Sequence, residues 1–308
     1  MTFLVYKGLK MRRFWPLVLF VIILSIALIS TQKPSAPTVE TKQIPQRIIS
    51  LAPSITETLF AIGAGQQVVG VTKYCDFPSE TTSLPSVGGF IDPNIEAIVA
   101  LQPDLVVLLA NHSHVIKQLQ QLHINVLAVS NTSLTDIQQT ISTLGDATHH
   151  QNKAKQIIEK INTTITSIKT KTAKLAKPRV MISMGHSIGT EHIEQVFIAG
   201  QRDFYNDLIR LAGGTNAYEG TQLKVPSVSI EGIMQLNPEV ILDIFPEYDD
   251  HLIDLAQTLE RWHSLKYVDA IQNNRIHIIE ESYATIPGPR IFLLLEKIAP
   301  LIHPEVDW

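Results

Sequence analysis

The sequence predicts an α/β fold of two similar Rossmann-like lobes with central sheets, joined by a single long α-helix. Three observations predict it. From Arg47 onward, short runs rich in β-branched residues alternate with stretches of helical period, the pattern of sheets covered by helices. A run from Gln151 to Ala176 contains no Gly or Pro and carries one apolar stripe. A segment of the first half is echoed in the second in the same order of residue types. With 308 residues, 45% of them hydrophobic, the chain has more apolar material than one compact core usually takes.

Taken in order, residues 1–45 read as a targeting segment and linker. Lys7, Lys10, Arg12 and Arg13 precede an apolar stretch from Phe14 to Ile29, followed by a Pro/Ser/Thr-rich segment. The apolar stretch is roughly 16 residues, short for a bilayer core of about 30 Å, and no clean A-x-A cleavage site follows it. A cleaved signal peptide and an uncleaved anchor both remain open, with translation starting at Met1 or at Met11. No cysteine directly follows the stretch, so no lipid anchor is expected.

Residues 46–146 form the first lobe. Arg47 to Leu51 is strand-like, and Ser54-Ile55-Thr56-Glu57 has the S-x-x-E form of a capping box opening a helix that stops near Gly63. Leu105 to Leu109 reads as a buried strand, Val115 to Leu122 as a helix and Val126 to Val129 as a further strand. Residues 147–178 are the connecting helix, with Ala154, Ile157, Ile158, Ile161, Ile165, Ile168 and Leu175 on its apolar face, about 39 Å long at 1.5 Å per residue and stopped by Pro178. A helical hairpin or coiled-coil arm is the competing reading. Residues 179–308, opening on the strand-like Arg179 to Met184, form the second lobe.

The echo pairs Ile95-Glu96-Ala97-Ile98-Val99-Ala100-Leu101-Gln102-Pro103-Asp104-Leu105 with Ile230-Glu231-Gly232-Ile233-Met234-Gln235-Leu236-Asn237-Pro238-Glu239-Val240. Each copy has a cap residue (Asn94, Ser229), a two-turn helix, a proline stop and an apolar strand. Two lobes of similar build follow.

Composition narrows the function. A net charge of −4 leaves no basic footprint for nucleic acid. The single Cys75 excludes an intramolecular disulfide and a cysteine-ligated zinc or iron–sulfur centre.

From Arg47 to Pro304 the chain resembles the periplasmic cobalamin and iron-siderophore binding proteins of ABC importers, a metal-chelate binding class whose lobes are joined by one long helix. The resemblance is carried by R-I-I-S-L-A-P-S-I-T-E-T-L-F-A-I-G-A-G at Arg47 to Gly65, V-G-V-T at Val69 to Thr72 and V-G-G-F-I-D-P-N-I-E-A-I-V-A-L-Q-P-D-L-V at Val87 to Val106. In the second half it is carried by L-A-G-G at Leu211 to Gly214, S-I-E-G-I at Ser229 to Ile233 and G-P-R at Gly288 to Arg290. The resemblance implies a monomeric periplasmic receptor, exported by its N-terminal signal and tethered to the inner membrane if that signal stays uncleaved. It implies capture of a cobalt or iron chelate, with no resident cofactor, and delivery to a permease with its ATPase subunits. By motif, Glu96 and Glu231 are implied to dock on arginines of that permease. A carboxylate in a helix's first turn is favoured by the helix dipole and stays available for charge-assisted pairing.

Ligands of open α/β sheets bind beyond the C-terminal ends of the strands, which between two lobes means the cleft. Candidate cleft residues are Ser54, Tyr74, Gly89, Phe90, His112, His186, Tyr248, Tyr283 and Arg290. Gly89 and Phe90 suit the face of a flat macrocycle, and Tyr74, Tyr248 and Arg290 suit its polar rim. His112 with His114, and His186 with His192, raise the alternative of a haem or bare metal-ion receptor; no metal site is assigned, since zinc would need three or four clustered ligands.

A remote alternative is a serine hydrolase. Gly185-His186-Ser187-Ile188-Gly189 has the G-x-S-x-G form, with Asp243 and then His263, His277 or His303 downstream in the order of α/β-hydrolases. The stretch after it lacks a helical period and no oxyanion loop precedes it, so no enzyme is expected. Gly63-Ala64-Gly65 lacks the third glycine of a dinucleotide loop.

Overall fold

The computed structural model describes residues 44–186, 194–245 and 255–308, with the side chains of His186 and Leu255 also left undescribed. The first lobe runs β1 (Ile48–Ser50), α1 (Pro53–Ala61), β2 (Val68–Val71), α2 (Ile95–Ala100), β3 (Leu105–Leu109), α3 (Ser113–Gln121), β4 (Val126–Val129) and α4 (Leu134–Thr148). Its sheet is wholly parallel, in the order β2-β1-β3-β4. Parallel strands are buried on both faces, and Ile48, Ile49, Val106, Val107 and Leu108 are accordingly all inaccessible.

The connecting helix α5 (Gln151–Thr172) is a single element of 22 residues, about 33 Å long. It buries Ala154, Ile161, Thr164, Ile168 and Thr172, spaced three, four or seven residues apart on one face, so the predicted stripe is the packed face. The expected extension to Ala176 does not form: the helix ends at Thr172, the Leu175 amide turns back to the Thr172 carbonyl, and Pro178 holds only the adjacent Lys177 away from helical geometry. Gly145 of α4 lets α5 approach closely, since a methyl there would lie 2.5 Å from the Ala154 Cβ.

The second lobe runs β5 (Arg179–His186), β6 (Gln195–Ile198), α6 (Phe204–Leu211), β7 (Thr215–Asn216), β8 (Ser227–Ser229), α7 (Ile230–Leu236), β9 (Val240–Ile244), α8 (Leu255–His263), α9 (Asp269–Gln272), β10 (Ile276–Ile279) and α10 (Ile291–Ile302). Its sheet has the order β10-β9-β5-β6-β8, with the short β7 also on β5. The β10-β9-β5 part is parallel like the first lobe, whereas β6 and β8 pair antiparallel.

The two echoed segments are α2–β3 and α7–β9. The Asn94 side chain accepts from the Ala97 amide at 3.0 Å and Ser229 Oγ accepts from the Gly232 amide at 3.3 Å, so both predicted caps form. The capping box at Ser54 does not. Ala52 is the N-cap without a side-chain bond, Pro53 takes the first helical position, and Ser54 already lies inside α1. Proline's fixed φ and missing amide suit that first position, so the helix starts one residue before the box needs it to. Glu57 is left free for another partner.

Candidate functional site

The parallel sheet of the first lobe aims its strand C-termini at one place. Ala52, Pro53 and Ser54 follow β1, Lys73 and Tyr74 follow β2, Leu109 ends β3 and Asn131 follows β4; all line one cavity of about 510 Å³ together with Gly89 to Asp92. The opposite wall is Thr285, Ile286 and Pro287, from the segment that leads into α10 in the second lobe. The cavity therefore lies between the lobes, where open α/β sheets leave their ligand crevice, and its size is within the ~300–1,000 Å³ of organic ligand sites.

Its walls are mostly apolar, and several large side chains there face solvent. Ile91 is 84% exposed and Tyr74 48% exposed, in a chain whose other apolar residues are largely packed. Exposed apolar groups clustered at one concavity mark a surface that something else covers. The Gly88–Asp92 turn presents them: the Gly89 amide donates to the Asp92 carbonyl, and Gly88 and Pro93 form a bridge. Gly88 has φ +94°, and a Cβ there would sit 2.8 Å from the Asn94 nitrogen, so only glycine makes this turn unstrained.

Polar groups are few and specific. Asn131 Nδ2 donates to Ser54 Oγ at 3.3 Å. Lys73 and Asp92 bring one charge of each sign, with the Lys73 ammonium 4.8 Å from the Tyr74 ring centroid. Of the predicted residues, Ser54, Tyr74, Gly89 and Phe90 thus line the cavity directly.

The others stand behind it or outside the described residues. His112 packs on Phe90 with ring centroids 4.7 Å apart; its Nδ1 is buried with no hydrogen-bond partner among the described residues, and burial pushes the imidazole below its ordinary pKa. Arg290 does not open onto the cavity. Its guanidinium is bidentate to the Glu57 carboxylate, at 2.6 and 2.9 Å, and lies 3.8 Å from the centroid of Phe77 and 5.6 Å from that of Tyr283. Tyr283 is partly buried, which raises its phenol pKa. His186 ends β5 with its side chain outside the described residues, where Tyr248, His192 and Ser187 also lie. Lys73, Asp92 and Asn131 were not anticipated, although Asn131 obeys the same strand-end rule that found Ser54. Glu57 was missed because it was assigned to a cap.

Among the described residues no group of three or more His, Cys, Asp or Glu could hold a metal ion. Of the residues of the hydrolase reading, Ser187 lies outside the described residues, Asp243 is fully buried and accepts from Trp262 Nε1 at 2.7 Å, His277 lies on β10 beside the Asp243 strand, and His303 is buried beside Glu305 near the chain's end. By Gln195 the chain after β5 has entered an antiparallel strand.

Glu96 and Glu231 occupy equivalent first-turn positions of α2 and α7 and are both exposed. The Glu231 carboxyl is held below its ordinary pKa by its own backbone amide and by Ser229 Oγ, which donates to it at 2.8 Å. Three residues on, each helix carries an exposed apolar side chain, Val99 at 45% and Met234 at 39%.

Residues 48–283 match the family model for periplasmic binding proteins. An ABC transporter substrate-binding lipoprotein of Bacillus subtilis is 27% identical over 269 residues, covering 86% of this chain and 82% of that protein. A vitamin B12-binding protein of Pectobacterium atrosepticum is 28% identical over 262 residues, 83% of this chain and 88% of that one. Among solved structures, the periplasmic vitamin B12-binding protein of Vibrio cholerae superposes with a TM-score of 0.71 at 23% identity, over 84% of this chain and 97% of that one. A periplasmic haem-binding protein of Pseudomonas aeruginosa gives the same TM-score at 21% identity, over 85% and 94%.

Proposed function

Because the chain belongs to the periplasmic binding protein family, we propose that it is the substrate-binding protein of an ABC importer and captures an uncharged metal chelate, a corrinoid of the cobalamin type above all, in the cavity between its lobes. The observation that carries this reading is the cavity itself, with strand ends of one lobe facing Ile286 and Pro287 of the other.

Charge supports the chelate class. Lys73 and Asp92 offset each other, and Arg290 is already neutralised by Glu57, so among the described residues the cleft offers no surplus of cations. A ferric catecholate or the propionates of haem would arrive with negative charge that none of the described cavity residues compensates, and burying unpaired charge is costly. A corrinoid with amide side chains, or a neutral ferric hydroxamate, needs only apolar faces for its ring and a few hydrogen-bonding groups for its rim. Haem has one feature in its favour, the Tyr74 phenol at the cavity.

Calorimetric titration of the purified chain with cyanocobalamin, a ferric hydroxamate, a ferric catecholate and haemin tests this. Saturable one-to-one binding of a neutral chelate is expected. Tight binding of haemin alone, lost in Tyr74→Ala, would replace the reading with haem capture.

Delivery follows from the paired glutamates. Glu96 and Glu231 meet arginines of the permease, one contact per lobe, and Val99 and Met234 lend apolar area beside them. The chain is exported through its N-terminal segment, works as a monomer in the periplasm and performs no reaction; ATP hydrolysis on the partner subunits drives release.

A further inference from the structure

We infer that Glu57 and Arg290 form an interlobe latch that sets the width of the cleft, acting on ligand capture as positioning residues without touching the ligand. The inference rests on the ligand-capture reading above.

The two residues are 233 positions apart in sequence and belong to different lobes, Glu57 to the middle of α1 and Arg290 to the residue capping α10. Glu57 is 3% exposed and accepts both the Nε–H of Arg290 at 2.9 Å and an Nη–H at 2.6 Å. A planar fork meeting a carboxylate at two points fixes orientation as well as distance. The ring of Phe77 covers the guanidinium at 3.8 Å, shielding the pair from water and strengthening it.

The latch sits three residues from both walls of the cavity. On α1, Glu57 lies three residues after Ser54, hence on the same helix face. On the other lobe Arg290 lies three residues after Pro287, and between them Gly288 runs against the Ser54 backbone, where a Cβ would meet the Ser54 oxygen at 3.4 Å. Ile286 and Pro287 are thus pinned opposite Pro53 and Ser54. Other ties also join the lobes, among them the Leu134 amide donating to Asp207 at 2.9 Å. Loss of the latch therefore loosens the cleft and leaves the lobes folded.

The test separates cleft width from ligand identity. Nitroxides on Gln120→Cys and Lys266→Cys, both exposed sites, report the interlobe distance distribution by pulsed electron resonance, with Cys75 too buried to compete. Wild type is expected to give a narrow ligand-free distribution, and Arg290→Met a broadened one. The double variant E57L/R290M leaves neither buried charge unpaired, so it folds even where the single variant does not, and it should show the same broadening. Affinity for cyanocobalamin should fall at least tenfold in both variants and recover in part in Arg290→Lys. An unchanged distribution in the double variant overturns the latch. So does a lost affinity with an unchanged distribution, which would make Arg290 a direct ligand contact. If wild type binds no cyanocobalamin, the ligand reading fails, while the distance distributions still decide the latch.

Discussion

Replacing Gly88 by alanine should damage the cleft and the docking helix together, because one backbone turn supports both. Gly88 stands at φ +94°, and holding an L-residue in left-handed geometry costs about 1–2 kcal/mol. The new methyl would also lie 2.8 Å from the Asn94 nitrogen, closer than carbon and nitrogen tolerate. That nitrogen donates to the Val87 carbonyl at 2.8 Å, so relieving the clash strains a hydrogen bond that contributes about 0.5–1.5 kcal/mol. The total is about 1.5–3.5 kcal/mol, which at about 2–4 °C per kcal/mol lowers the melting temperature by about 3–14 °C. Movement of Asn94 disturbs the cap of α2, and with it Glu96, while movement of the turn carries Phe90 and Ile91 away from the cavity. Calorimetric melting and titration with a neutral chelate measure the two effects on one sample. A Gly88→Ala variant melting within a degree of wild type, with unchanged affinity, would refute the reasoning that ties the turn to both sites.

Charge reversal at Glu96 and Glu231 together should abolish uptake in cells and leave ligand affinity within twofold, because neither residue lines the cavity; undiminished transport contradicts the docking assignment. Burial raises the Glu57 pKa in spite of Arg290, so the folded chain holds that proton more tightly than the unfolded one. The resulting stability is complete below the ordinary value of 4.5 and drains away as pH rises through the raised value. The stability of wild type relative to Glu57→Gln should therefore decline with rising pH across that window, and a constant difference in denaturant melts would argue against it. Trp262→Phe removes the indole donor to the buried Asp243 carboxylate and should cost about 1.5–3 kcal/mol by urea unfolding; a neutral substitution would contradict that bond. No ester turnover that depends on Ser187 is expected, so hydrolysis abolished by Ser187→Ala would overturn the non-enzyme reading.

Sequence alone conveyed what depends on local periodicity. The strand Leu105–Leu109, the stripe of α5 and the caps Asn94 and Ser229 are visible because their signals lie within a few residues of the structure they specify. The helix Leu134–Thr148 went unread although Ser133 caps it and Ile137, Ile141 and Leu144 carry its buried face, a pattern of the same kind. Ser54 and Tyr74 were legible because they follow strand ends, whereas Gly89 and Phe90 lie in the turn ahead of the echoed helix α2. Glu57 shows where such reasoning stops. Its spacing from Ser54 is that of a capping box, but proline at position 53 moves the helix start, and the partner that claims the carboxylate is 233 residues away. No local pattern encodes a contact across two lobes. Arg290 was placed in the cleft for the same reason: its charge was readable, its counter-ion was not.

The central claim is that a chelate is held between the lobes and touches both. Amide hydrogen exchange with and without saturating cyanocobalamin tests it most directly. Slowed exchange is predicted at once in the segments around Ser54, Tyr74 and Phe90 of the first lobe and around Ile286 of the second. Protection confined to one lobe, or centred on any other part of the chain, would contradict it.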